Sequence, residues 1–291
     1  MFKLNRLSRH LLLLGLVALT LLMAAFVYGR RGGLADDKDH TFSEEQADRE
    51  ILFDGDHIFT TKESFVQVDN KTVTIRRNGT YMLRGRMEEG QIIVDVGKDQ
   101  EVKLKLNDLV LSCSYGPPIY VKSAKKVTLK LKAGSENEFA DGKTVDETED
   151  EIEENLWKGC IYARSDLKIK GDGSLLVTGN HRHGIFSSKD LKIEDGNVTV
   201  KAVKQALHGK KSILIEDGKI RLKAGTDAIH SNGSLDILGG DIKIDAGKYG
   251  MYAFDSIYVN RGTKDSDSKN RAKVTVIHAL SKTGCKGKVE Y

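Results

Sequence analysis

Several features that define common protein classes are scarce in this chain. The three cysteines, Cys113, Cys160 and Cys285, are odd in number and show no CxxC or CxxH spacing, which excludes a disulfide scaffold and leaves a zinc site without support. They read as packed small apolar residues or free thiols, with one pair still open in an oxidising compartment. Proline occurs only twice while 39% of the 291 residues are hydrophobic, so the chain is not a disordered one. The net charge of +4 includes several charges near the N-terminus, and the rest is nearly balanced. No concentrated basic stripe is present, which argues against a nucleic-acid partner. Aromatic residues make up only 7%.

What is plentiful is glycine, at 29 residues, together with Val, Ile, Lys and Asp. That usage suits short strands joined by tight turns and points to an all-β chain. Residues 11–28 form an uncharged, mostly apolar run preceded by Lys3, Arg6, Arg9 and His10 and closed by Arg30 and Arg31. The run is at the lower limit for crossing a bilayer and longer than most cleaved signal segments. It is read as one N-terminal transmembrane helix, a signal anchor over residues 1–31, with cleavage and secretion as the alternative. The basic flank stays inside, so the domain lies outside the cell membrane. A charged linker over 32–50, a repeat domain over 51–280 and a C-terminal tail over 281–291 complete the expected organisation.

The repeat is the strongest signal. Segments opening at Ile161, Ile185, Leu207, Ile229 and Met251 start 24, 22, 22 and 22 residues apart. Six and eight residues after each opening comes an apolar pair, Leu167 and Ile169 in the first unit, Ile257 and Val259 in the last. Glycine turns follow at Gly196, Gly218, Gly240 and Gly262, and then a second alternating strand such as Val198 and Val200, or Ile220 and Leu222. Apolar residues recurring at two rather than at three or four exclude a helical solenoid. The Leu and Asn signature of a leucine-rich repeat is absent. One such unit cannot bury its apolar face alone, so successive units must stack. The expected fold is a right-handed parallel β-helix with about 22-residue rungs. Residues 72–75, 92–96, 102–106, 119–121 and 127–131 look like less regular rungs. Residues 137–155, rich in Asp and Glu, and 261–273 are expected to protrude as loops.

Residues 78–85 (NGTYMLRG) and 90–95 (GQIIVD) resemble the entry of the bacterial carbohydrate-binding β-helix domains related in architecture to pectate lyases. Residues 116–121 (GPPIYV), 165–169 (SDLKI) with 173–175 (GSL), and 183–185 (HGI) with 189–193 (KDLKI) extend the similarity, which covers roughly residues 50–280. The resemblance implies a secreted or surface-attached module that binds plant-type polysaccharides, with calcium held by acidic residues at rung corners. This chain departs from that pattern. The corner pairs are Arg182 and His183, Lys204 and Gln205, Thr226 and Asp227, and Lys248 and Tyr249, leaving Asp227 as the one candidate calcium ligand. Its plainer reading is a corner-turn residue.

Tyr120, Tyr162, Phe186, His208, His230 and Tyr252 each follow a rung-opening aliphatic residue, so alternation turns all six outward in one column. Such rings can stack on the C–H faces of sugars, and Arg164, Lys189, Lys210 and Lys211 can meet the carboxylates of uronic acids. The column can also serve only to stabilise adjacent strands. Paired carboxylates, a nucleophile elbow and a metal cluster are missing, so no catalytic residue is expected. The sequence therefore points to a monomeric, non-catalytic polysaccharide-binding module. A lyase-like enzyme and a structural or adhesive envelope protein are the alternatives.

Overall fold

Stacked aliphatic columns organise the chain. In a computed structural model, which describes residues 49–142, 157–260 and 271–290, Ile119, Ile161, Ile185, Leu207, Ile229 and Met251 pair rung to rung in parallel. All six are fully buried. A second column runs Val127, Leu167, Leu191, Ile213, Leu235 and Ile257. A third runs Leu175, Val198, Ile220 and Ile242, then Val274. Each fully buried aliphatic side chain stabilises the stack by about 1.5–3 kcal/mol relative to exposure. Because like sits above like, the three columns merge into one continuous core.

Each regular rung has three strands, as in His183–Ser187, Asp190–Ile193 and Asn197–Ala202. The rung-opening strands form a parallel ten-stranded sheet, broken only by an antiparallel pair at its start. The other two sets belong to a seventeen-stranded sheet. The turn between the second and third strands depends on glycine. Gly196, Gly218 and Gly240 have φ of +121°, +117° and +93°, and a Cβ on Gly218 would fall 2.8 Å from the carbonyl oxygen of Gly196. Asp195 and Asp217 tighten these turns, each Oδ1 accepting from the following glycine N–H at 2.7 Å.

The first rungs are less regular. Glu50–Asp54 and His57–Thr60 form an antiparallel hairpin, as do Val66–Asp69 and Thr72–Ile75. The two hairpins fold the chain back on the first parallel strands. Glu101–Cys113 is one strand of 13 residues that runs past two positions at once. It is accommodated by a register shift between Arg84 and Gly85 and by Asp108 at φ 56°.

Three expected boundaries are corrected. Residues 136–141 are not part of a protruding loop: Glu136–Asp141 is a strand paired with residues 110–113 and 174–178. Its polar residues Asn137 and Asp141 are buried because backbone groups satisfy them. Asn137 accepts from the Leu109 N–H and donates to the Ser174 carbonyl. Residues 281–290 are not a tail either, since Ser281–Cys285 and Lys288–Glu290 pair in parallel with the preceding rung. Likewise Lys273 opens the strand Lys273–His278 rather than closing a loop. The expected anchor over 1–31, most of the linker and the bulk of both loops lie outside the described residues. Among the described residues no helix is long and apolar enough to cross a membrane. Cys113, Cys160 and Cys285 are all free, and burial pushes the thiols of Cys113, to about 11, and of Cys160 upward.

Candidate functional site

The rung-opening strands turn their inner residue to the core and the next residue outward, so the six rings do share a column. Pairing runs Tyr120, Tyr162, Phe186, His208, His230, Tyr252. Neighbouring centroids lie 5.1, 5.5, 4.8, 4.8 and 4.6 Å apart. The first and last contacts are stacked and the middle ones are tilted or edge-on. Such contacts contribute about 0.5–1.5 kcal/mol each beyond the area they bury.

Outward does not mean accessible, and the six rings differ in access. Phe186 is 1% exposed and Tyr162 8%, whereas Tyr120, His208, His230 and Tyr252 are half-buried. At two positions a further ring stands three residues earlier in the chain. His183 stacks on Phe186 at 5.6 Å and meets His208 edge-on at 4.9 Å. Tyr249 packs on Tyr252 at 5.6 Å in the equivalent position. Sequence reasoning passes over His183 and Tyr249 as ring partners, although each opens its strand three residues before an outward ring.

The polar groups between the rings largely satisfy one another. Asp227, 4% exposed, accepts from His230 Nδ1 at 2.7 Å and from the Tyr249 N–H at 3.2 Å. Burial acts to raise its pKa, but these bonds outweigh that and hold the carboxyl below its ordinary value. The carboxylate accepts only, so His230 carries its proton on Nδ1. His208 Nε2 lies 3.2 Å from Asn232 Oδ1, and His183 Nδ1 accepts from the Gln205 N–H at 3.4 Å. Burial lowers the pKa of His183 to about 2 and that of His208 to about 4, so both rings are neutral and can pack as apolar faces.

Asp227 is a poor fit to the calcium ligand that the sequence suggested. Both of its oxygens are engaged, and the corner positions around it carry His183, Gln205 and Tyr249. A hard divalent cation needs six to eight oxygen ligands. Among the described residues no three His, Cys, Asp or Glu side chains are grouped to hold a metal ion.

Cations flank the column on both edges. Lys122, Arg164 and Lys210 follow the rings on one side, all exposed, and Lys204 and Lys248 precede them on the other. The Arg164 guanidinium sits against Tyr120 and Tyr162, whose hydroxyls raise its pKa. Lys189 and Lys211 stack at the next corner, Lys211 donating its N–H to the Lys189 carbonyl. Lys211 is already paired with Asp190 at 2.9 Å, which makes it the weakest of the expected ligand cations. Lys248 lies 5.0 Å over the Tyr249 ring, and Lys286 lies 4.5 Å over the exposed Phe254. Beneath the column's N-terminal half, Asp141 accepts from the N–H groups of Asn180 and His181 and from Trp157 Nε1. Its burial outweighs those bonds and pushes its pKa up to about 6.

The arrangement can stack flat apolar faces and attract negative charge, which is the chemistry of sugar recognition. Known proteins agree with it. A solved structure described as the polysaccharide lyase-like protein from C. thermocellum, a gadolinium derivative, superimposes with a TM-score of 0.76 and 33% identity over 83% of this chain and 96% of that one. A carbohydrate-binding domain-containing protein of Acetivibrio thermocellus is 40% identical over 152 residues, so the match spans about half of each chain, 52%. A sequence profile of the carbohydrate-binding domain-containing proteins matches residues 69–291, well over half of the chain, and the chain belongs to that family.

Proposed function

We propose that this protein binds polysaccharide through the outward ring column and its flanking cations without transforming it. The observation that carries this reading is the column itself: six rings in register on one face, edged by Lys122, Arg164, Lys204, Lys210 and Lys248. The ligand is an acidic plant-type or cell-wall glycan whose sugar faces stack on the rings while its carboxylates meet the cations. The domain is held at the outer face of the cell membrane by residues 11–28, and it acts as a monomer. Non-catalytic action is supported by the engagement of Asp227, whose two oxygens accept from His230 and from the Tyr249 N–H.

One observation favours a second reading. Asp227 orients His230 as an acid orients a general base, the arrangement a lyase would use to remove a proton beside a uronate. A single experiment separates the two. The full chain is incubated with insoluble cellulose, pectin and bacterial cell wall, with and without EDTA, and the supernatant is followed in the near ultraviolet for unsaturated products. Retention on pectin without product supports binding alone. Product that disappears in His230→Ala supports the lyase, and failure to bind any of the three materials removes the carbohydrate reading.

A further inference from the structure

The column is covered at Tyr162 and Phe186, with the half-buried Tyr120 on one side and the half-buried His208, His230 and Tyr252 on the other. Phe186 is 1% exposed and Tyr162 8%, with His183 lying over Phe186. At the N-terminal end Tyr120 is half-buried, next in the column comes Ile93, and the exposed Arg164 and Lys122 stand beside it. At the C-terminal end Tyr252 is half-buried and stacked on His230 at 4.6 Å, with Tyr249 beside it. Next in this direction the column reaches Gly284, which has no side chain to cover the rings. A Cβ there would fall 2.8 Å from Tyr249 Cε1 and 3.0 Å from Tyr252 Cδ2, so both rings lean across the bare position.

We propose that the two ends are separate sugar-stacking subsites, centred on Tyr120 and on Tyr252 with Tyr249, that a single glycan chain engages together by running along the stacking axis. The inference rests on the carbohydrate reading above and adds to it a geometry and a length threshold. Five parallel pairings separate Tyr120 from Tyr252. At about 4.8 Å per rung the two subsites lie about 24 Å apart. At one sugar per rung, about six units are needed to touch both ends. Shorter chains occupy one end only. Longer ones convert the second contact into an intramolecular event, and affinity rises without any new contact type. Tyr162 and Phe186, with the His183 ring lying over Phe186, are closed off next to Tyr120, so this covered pair acts as a rigid spacer.

The test is calorimetric titration of the full chain with two size-graded series, cello-oligosaccharides and oligogalacturonides, from dimer to octamer. In the series that binds, affinity is expected to be weak and nearly flat up to about four units, then to step up by about tenfold or more near six. Tyr120→Ala and Tyr252→Ala are each expected to remove the step and to lower short-chain affinity by only about half, because one of two subsites is lost. Tyr→Phe at either position keeps the step, and far-ultraviolet circular dichroism confirms that each variant is folded. An affinity that climbs smoothly and levels by three or four units overturns the two-ended geometry while leaving carbohydrate binding in place. So does a step that survives either alanine. Binding of neither series overturns both.

Discussion

Ile185 and Phe186 are adjacent in one strand, and so are Met251 and Tyr252 three rungs further on. In the first pair the inward residue is fully buried and the outward one is 1% exposed, so facing makes no difference to access. In the second pair the inward residue is equally buried, yet Tyr252 is half-exposed. Alternation along a strand decides only which way a side chain faces. Access is decided by what occupies the corner three residues earlier and the rungs on either side: His183, Tyr162 and His208 surround Phe186, whereas Gly284 leaves one flank of Tyr252 bare.

The sharpest way to break this comparison is truncation. Phe186→Ala is expected to destabilise the fold by about 3–5 kcal/mol, as much as a core substitution such as Ile229→Ala at about 2–5 kcal/mol. Tyr252→Ala, in the same outward column, should cost about 1 kcal/mol or less. Chemical denaturation of the three variants measures this. If Phe186→Ala proved as mild as Tyr252→Ala, the closed centre would be lost.

Acid should act on the centre more than on the ends. His183 and His208 titrate near 2 and 4 in the fold against an ordinary value of 6.5, so their contribution is complete above 6.5 and is lost as pH falls toward 4. Asp141 works in the opposite direction, because its pKa is raised to about 6 from 3.8 and its contribution is lost as pH rises through 6. Below pH 6.5 the unfolded chain takes up more protons at the His183 and His208 imidazoles and at His181, whose pKa burial also lowers, than the folded chain gains at Asp141, so stability should fall as pH drops from about 6 to 4. Thermal melting across that window checks the slope. Asp141→Asn should steepen it and His208→Gln should flatten it.

Smaller effects follow at the C-terminal end. Asp227→Asn weakens the hold on His230 and on the Tyr249 N–H, at a cost of about 1–3 kcal/mol. Chemical denaturation of that variant measures the cost. The smallest effect expected is none at all: with Asp227 already committed, EDTA should leave both Tm and glycan retention unchanged. A Tm that falls on chelation would place a structural cation somewhere in the stack.

Much of the architecture was legible because it repeats. A fixed 22-residue interval puts Leu207, Ile229 and Met251 in one column, and the pairing found is the one that interval demands. Legibility failed where the period carried no signal. The strand Glu136–Asp141 hides its register behind Asn137 and Asp141, polar residues buried only because neighbouring backbone groups and Trp157 meet them. The strand Ser281–Cys285 has almost no aliphatic residue and is held in register through its backbone. Of the site, alternation revealed the outward column and its cations. It did not reveal that Phe186 is closed off, because that depends on the His183 ring lying over Phe186, which alternation along the strand does not specify.

The two hairpins at the start of the stack carry a consequence for association between molecules. Parallel strands stacked in register are a ready template, since an exposed edge invites a further strand from any other copy of the chain. Here His57–Thr60 and Val66–Asp69, four residues each, run against the direction of the rungs they cover. A further rung approaching from that side meets reversed polarity and a short edge, so the parallel stacking that builds the rest of the molecule does not continue through this end.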